Sequence, residues 1–190
     1  MNPASLRPWQ TLSRQVILKP NKYLTVENHV IKLPDGQVIP DWPWIIIPSA
    51  AIVLPMTSDG HFLCFRQTKY AVNGPTLATV GGMLEPGEAP IEAARRELLE
   101  EMGCEAQEWV SLGNHILDPN RGIATMHLFL ALKTVKVSEP VVDDLEDQER
   151  LSLSRQELQT ALSANEFKVI SWAAVVALAL NYLSTKEKGG

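Results

Sequence analysis

A chain of 190 residues, with 45% apolar and 21% charged residues, has the size and balance of an ordinary globular domain able to bury a core. Its net charge of −5 argues against sequence-independent nucleic-acid binding, which needs clustered Lys and Arg. Two cysteines, Cys64 and Cys104, are too few for a disulfide framework and sit in apolar runs, so they read as buried, reduced thiols.

Residues 1–10 read as a loose arm; they have no apolar core and do not form a secretory signal. Short strands are predicted at residues 16–18, 23–28 and 29–33, with a hairpin turn at Pro34-Asp35-Gly36-Gln37. His29, beside that hairpin, reads as exposed. Asp41-Trp42-Pro43-Trp44 reads as a packed corner. Residues 45–54 are a continuous apolar run, which suits one buried central strand with Pro48 near its start or at a bulge. A turn at Thr57-Ser58-Asp59-Gly60 leads into a partner strand at 61–67, and a short strand at 76–80 feeds the pair Gly81-Gly82. Strands follow near 109–116 and 124–132, with a loop around Pro119 between them. His61, His115 and His127 read as sheet residues; His127 alternates with Met126 and Leu128 and so faces the other side of its strand. After a polar, acidic loop at 138–148, Ser154 and Glu157 form a capping box opening a helix whose Leu158, Ala161 and Leu162 face inward. A last, largely buried helix covers 171–183, and 184–190 reads as a frayed tail. The apolar stretch 169–183 is interrupted by Ser171 and Asn181 and is too short to span a bilayer. No membrane association is expected, and the cytoplasm is the expected compartment.

The most informative stretch is GMLEPGEAPIEAARRELLEEMGC, from Gly82 to Cys104. Proline at the first helical turn and Gly103 past the last predict a helix at 90–102. Ile91, Ala94, Leu98 and Met102 fall on its core stripe, with Glu97 and Glu101 side by side along the margin. Glu100 lies further round, beside Arg96. Two readings compete. The carboxylates form a solvated acidic face balanced by Arg95 and Arg96, or they hold a hard divalent cation such as Mg²⁺ or Mn²⁺, with the glycine turn letting backbone approach metal or phosphate. Such a cation also answers how an acidic protein binds an anionic substrate.

The spacing of Gly82, Glu88, Arg96-Glu97-Leu98, Glu100-Glu101 and Gly103-Cys104 resembles the Nudix box, with every fixed position filled. The resemblance implies an α/β fold, the Nudix α/β/α sandwich with a mixed sheet, an N-terminal β-hairpin extension at 1–44, a hydrolase domain at 45–190 and C-terminal helices. It implies Glu97 and Glu101 as main metal ligands, Glu100 assisting, the carbonyl of Gly81 as a further ligand, and Arg96 orienting the glutamates. Arg96 and Glu100 are thereby counted with the catalytic groups, and Glu88 is a further acidic position near the metal. The resemblance further implies that the bond broken is a nucleoside diphosphate linkage.

Other residues resemble the ADP-ribose and nucleoside-diphosphate-sugar branch. Pro119 lies fifteen residues beyond Cys104, where that branch carries a proline. Arg66, Gln67 and Tyr70 resemble its strand before the box, so Arg66, Gln67, Gly82 and Pro119 are the expected substrate contacts. The loop Leu145-Glu146-Asp147-Gln148-Glu149 resembles the branch's acidic loop, with Glu146 the first and Glu149 the second candidate general base. The branch also implies a homodimer through the N-terminal strands. Lys69, Ala78-Thr79 and Val80-Gly81-Gly82 depart from the branch's usual arginine, glutamate and Pro-Ala-Gly. The alternatives are a Nudix hydrolase acting on a dinucleotide, a coenzyme A or a nucleoside triphosphate, and a non-catalytic Nudix domain that senses a nucleotide.

Overall fold

The apolar run at residues 45–54 does not form one strand. It is cut at residues 47–49, around Pro48, whose nitrogen has no hydrogen to give to a ladder. In the computed structural model, which describes residues 7–141 and 148–188, the cut falls between two compact units. One is Met1–Pro48 with Ile116–Thr125; the other is Ser49–His115 with Met126–Gly190.

The first unit is an antiparallel sheet of β1 (Gln10–Asn21), β2 (Leu24–Lys32) and β3 (Val38–Ile46), in that spatial order. The runs expected as separate strands at 23–28 and 29–33 merge into β2, because nothing at Asn28-His29 breaks the ladder. The Pro34–Gln37 turn is present: the Leu33 amide donates to the Gln37 carbonyl at 2.8 Å, and Gly36 takes a positive φ of 95°. Trp42-Pro43-Trp44 is not a corner but part of β3, and Trp42 meets Trp9 edge-on at 5.4 Å. His29 is buried rather than exposed, at 3% accessibility. It lies on the central strand of the sheet, stacks on Trp44 at 5.0 Å, and its Nε2 is 2.8 Å from the Glu27 carboxylate. The loop that carries Asn120, Arg121 and Gly122 is bound here too. The Trp42 indole donates to the Asn120 carbonyl at 2.6 Å, the Ile45 amide donates to that of Arg121 at 3.0 Å, and Gly122 lies so close to the Trp44 ring that a Cβ would overlap it.

The second unit is built on β4 (Ala50–Thr57), β5 (Phe62–Gln67), β6 (Thr76–Ala78) and β7 (Val80–Met83), then α1 (Pro90–Met102), β8 (Cys104–Asp118), β9 (Ile123–Lys136) and β10 (Gln148–Leu153), and finally α2 (Arg155–Ser163) and α3 (Ile170–Lys188). The turn between β8 and β9 groups with the first unit. The strand order is β10-β5-β4-β9-β8, with β6 on β5 and β7 on β4. The sheet is mixed because β4 runs parallel to β9 and antiparallel to β5 and β7. Ala50 through Leu54 are buried consecutively, as a strand covered on both faces must be. Helices supply the cover: α1 packs on β4 and β7, and α3 packs on β4.

The helix ends follow the sequence signals. Pro90 opens α1, and Gly103 closes it at φ 64°, its amide donating to Leu98 and Leu99 carbonyls. The buried face of α1 is Ala93, Ala94, Glu97, Leu98 and Met102; Ile91 is only half-buried, because it lies in the first turn where the helix enters. The Ser154 capping box opens α2 in full, with both reciprocal bonds formed. Leu158 and Ala161 are buried and Leu162 half-buried. Of the expected frayed tail, residues 184–188 are helical instead, since α3 continues to Lys188, with Lys186 and Lys188 in its last turn, where cations favour the helix dipole.

Both cysteines are free and buried, and burial pushes the Cys64 thiol up to about 12. Cys64 therefore stays protonated at pH 8. It should resist iodoacetamide in the native protein and react fully in denaturant, as read by mass spectrometry. Ser154→Ala removes the α2 cap and should lower stability by about 1 kcal/mol, measured as a shift in the urea midpoint.

Candidate active site

The site is assembled where β7 passes under α1. Gly82 pairs with Ala51 across the ladder, and a Cβ at Gly82 would occupy the space filled by the Glu97 carboxylate. The missing side chain is thus what admits Glu97, only 9% exposed, against the sheet. Gly81 is equally constrained: a Cβ there would stand 2.5 Å from the Ala51 carbonyl oxygen. Its amide donates to Glu101 Oε2 at 3.1 Å, so strand backbone and helix carboxylate are joined directly.

Arg96 organises the carboxylates. Its Nε and Nη2 donate to the two oxygens of Glu88 at 2.9 and 3.0 Å, a bidentate fork. Its Nη1 donates to Glu97 Oε1 at 2.7 Å and to Glu100 Oε2 at 3.1 Å, and its Nη2 also reaches the Met83 carbonyl at 3.2 Å. The bonds to Glu88 first, and then those to Glu97 and Glu100, hold the guanidinium firmly charged. The same contact with Arg96 holds the Glu88 carboxyl below the usual range, helped by the Glu85 amide. Burial dominates at Glu97 and pushes its carboxyl up, with Arg96 opposing. The use of the Met83 carbonyl had no signal in the sequence, because any residue offers one.

The remaining candidates fall in other places. Arg66 pairs with Glu149 across β5 and β10, so both project from one face. Arg66 Nε lies 3.8 Å from Glu149 and Nη2 lies 3.7 Å from Glu166, beside α2 residues Gln156 and Thr160. The next residue, Arg150, projects the other way and donates to the Glu101 backbone carbonyl of α1 at 3.4 Å. Strand alternation therefore puts Glu149 on the α2 side, away from Glu97. Gln67 faces the α1 side; it is buried, and among the described residues its Oε1 has no hydrogen-bond partner. Pro119 belongs to the first unit, where it lines a cavity of about 350 Å³ with Trp9, Trp42, Trp44 and His29. Glu146 lies outside the described residues. His127 is half-buried on β9, and its Nδ1 is 2.8 Å from Asn114 Oδ1.

The family model of the NUDIX domain matches residues 47–173, most of the chain. The chain belongs to the Nudix family. As a Nudix hydrolase it is 29% identical over 178 residues to the ADP-ribose pyrophosphatase of Bacillus subtilis (strain 168), covering 94% of each chain. It is 28% identical over 159 residues to the methanol dehydrogenase activator of Bacillus methanolicus, covering 83% of each. A shorter match, 29% over 82 residues and 44% of that protein, is to the ADP compounds hydrolase NudE of Escherichia coli (strain K12). Among solved structures, a crystal structure of an ADP compounds hydrolase superposes with a TM-score of 0.79 at 20% identity, over 96% of this chain and 97% of that one, which shows the shared fold.

Nudix hydrolases generally need a divalent metal, and the donor set here fits a hard cation. Glu97, Glu100 and Glu101 offer only carboxylate oxygens, next to strand backbone with no side chain at Gly81 or Gly82. Among the described residues, no three acidic, histidine or cysteine side chains already converge on one point. Glu97 and Glu100 are turned onto Arg96, and Glu101 onto the Gly81 amide.

Gly82→Ala should displace Glu97 and lower nucleotide hydrolysis at least about a hundredfold, the scale of losing one well-placed stabilising group. The far-ultraviolet circular dichroism spectrum should be unchanged.

Proposed function

We propose that this Nudix hydrolase cleaves the diphosphate bond of ADP-ribose or a related nucleoside diphosphate sugar, giving a nucleoside monophosphate and a sugar phosphate. The observation that carries the reading is similarity along 94% of the chain to an ADP-ribose pyrophosphatase, together with a Nudix box that keeps every glutamate. The cation is Mg²⁺ or Mn²⁺, held by Glu97 and Glu101, with Glu100 and the Gly81 carbonyl assisting. When bound, the ion supplies Lewis acidity and neutralises phosphate charge. Arg96 fixes the glutamates, and a carboxylate takes the proton of the water whose oxygen bonds to phosphorus as the anhydride P–O bond breaks. Glu146 is assigned this role before Glu149, since the pairing of Glu149 with Arg66 on the α2 side favours Glu146. Gln67 and the backbone at Gly82 are assigned to substrate binding; the lack of a partner for the buried Gln67 Oε1 among the described residues supports its place there.

The protein is assigned to the cytoplasm as a homodimer. No helix among the described residues is long and apolar enough to cross a membrane. Support for the dimer comes from β1, where Val16, Ile17 and Leu18 are each more than half exposed on a strand at the edge of its sheet. Light scattering should give twice the 21.0 kDa chain mass.

A panel of ADP-ribose, other nucleoside diphosphate sugars, dinucleotides, coenzyme A and nucleoside triphosphates, each with Mg²⁺ and Mn²⁺, tests the reading. ADP-ribose should yield AMP and ribose phosphate, and chelation with EDTA should stop the reaction. Nucleotide binding without turnover of any substrate would instead indicate a sensor domain. Glu101→Gln should abolish turnover while the thermal midpoint moves by only a few degrees, about 1 kcal/mol or less.

A further inference from the structure

Sheet register places one more side chain on the face of the site. Gly82, Ala51 and His127 occupy a single row across β7, β4 and β9. Residues directly paired across neighbouring strands project from the same face, and two strand spacings separate the ends of the row by about 10 Å. At the Gly82 end stands the Glu97 carboxylate, in the space a Cβ would take. At the other end stands the imidazole of His127, with only the methyl of Ala51 between them in that row.

The ring is oriented and poised to accept. Asn114 Oδ1 can only accept, so at 2.8 Å the Nδ1 of His127 is the protonated nitrogen. Burial holds the ring below the usual histidine range, so it is neutral at pH 7. Nε2 then carries a lone pair, and among the described residues it has no hydrogen-bond partner. An acceptor suits neither a phosphate oxygen nor a carboxylate; it suits a hydroxyl. We infer that His127 contacts the substrate, its Nε2 accepting a hydrogen bond from a sugar hydroxyl adjoining the diphosphate. The inference rests on the nucleoside diphosphate sugar reading, whose substrate carries a sugar with free hydroxyls beside its diphosphate.

The test compares ADP-ribose with analogues lacking single ribose hydroxyls, in wild type, His127→Ala and His127→Gln. Loss of one hydrogen bond should raise the KM for ADP-ribose about tenfold in His127→Ala, with kcat within about twofold. His127→Gln, which keeps an acceptor near Nε2, should recover most of the loss. For one deoxy analogue the wild type should already show the raised KM, and His127→Ala should add nothing. An unchanged KM for ADP-ribose in His127→Ala overturns the inference, as does an equal loss on every analogue, which marks a structural role. If His127→Ala does not fold, Asn114→Ala keeps the histidine and frees its ring. It should raise KM about threefold on ADP-ribose and not on the critical analogue, and no rise overturns the proposal. Failure of the wild type to cleave any nucleoside diphosphate sugar overturns the functional reading and this inference together; cleavage with an indifferent His127 overturns this inference alone.

Discussion

Three glutamates share the guanidinium of Arg96, and the arrangement of the site depends on it. Two like charges about 4 Å apart near a protein surface repel by about 4 kcal/mol, so Glu88, Glu97 and Glu100 do not gather unaided. Arg96 offers five donors in a fixed plane and uses them on all three carboxylates and on the Met83 carbonyl. A lysine, with a single point of charge, would not span them. The result is a set of carboxylates held in fixed orientation at the start of the helix and along its margin.

The backbone of β7 makes that arrangement possible. Gly82 yields its side-chain space to Glu97, and Gly81 offers its amide to Glu101 while lying too close to Ala51 for any other residue. Helix and strand are therefore joined through carboxylates rather than through apolar packing at this one point. Elsewhere α1 packs conventionally through Ala93, Ala94, Leu98 and Met102. The burial that raises the Glu97 carboxyl is the energetic cost of this placement, and a cation or Arg96 offsets it.

Much of the fold was legible in the sequence where the signal was local. The Pro34–Gln37 turn, the proline and glycine bounding α1, and the Ser154–Glu157 box all act within a few residues, and each appears as read. Misreadings occurred where non-local pairing decides. The run at 45–54 looks like one strand because hydrophobicity is continuous, yet its two parts join different sheets. His29 looks exposed beside a turn, but it is covered because β2 is the middle strand and Trp44 stacks on it. Trp42 and Trp44 look like a corner, and β3 carries them within a strand because its prolines do not interrupt pairing with β2.

The sequence by itself determined the box: which carboxylates exist, their helical spacing, and the glycines before them, since periodicity and turn chemistry are properties of adjacent residues. Tertiary structure alone decided which groups meet. Arg96 reaches back eight residues to Glu88, β10 turns Glu149 toward Arg66 and α2, and β4 sets Gly82 and His127 in one row. Strand register and face alternation produce the last two, and a change of one residue in register would reverse both, which is why no local pattern encodes them.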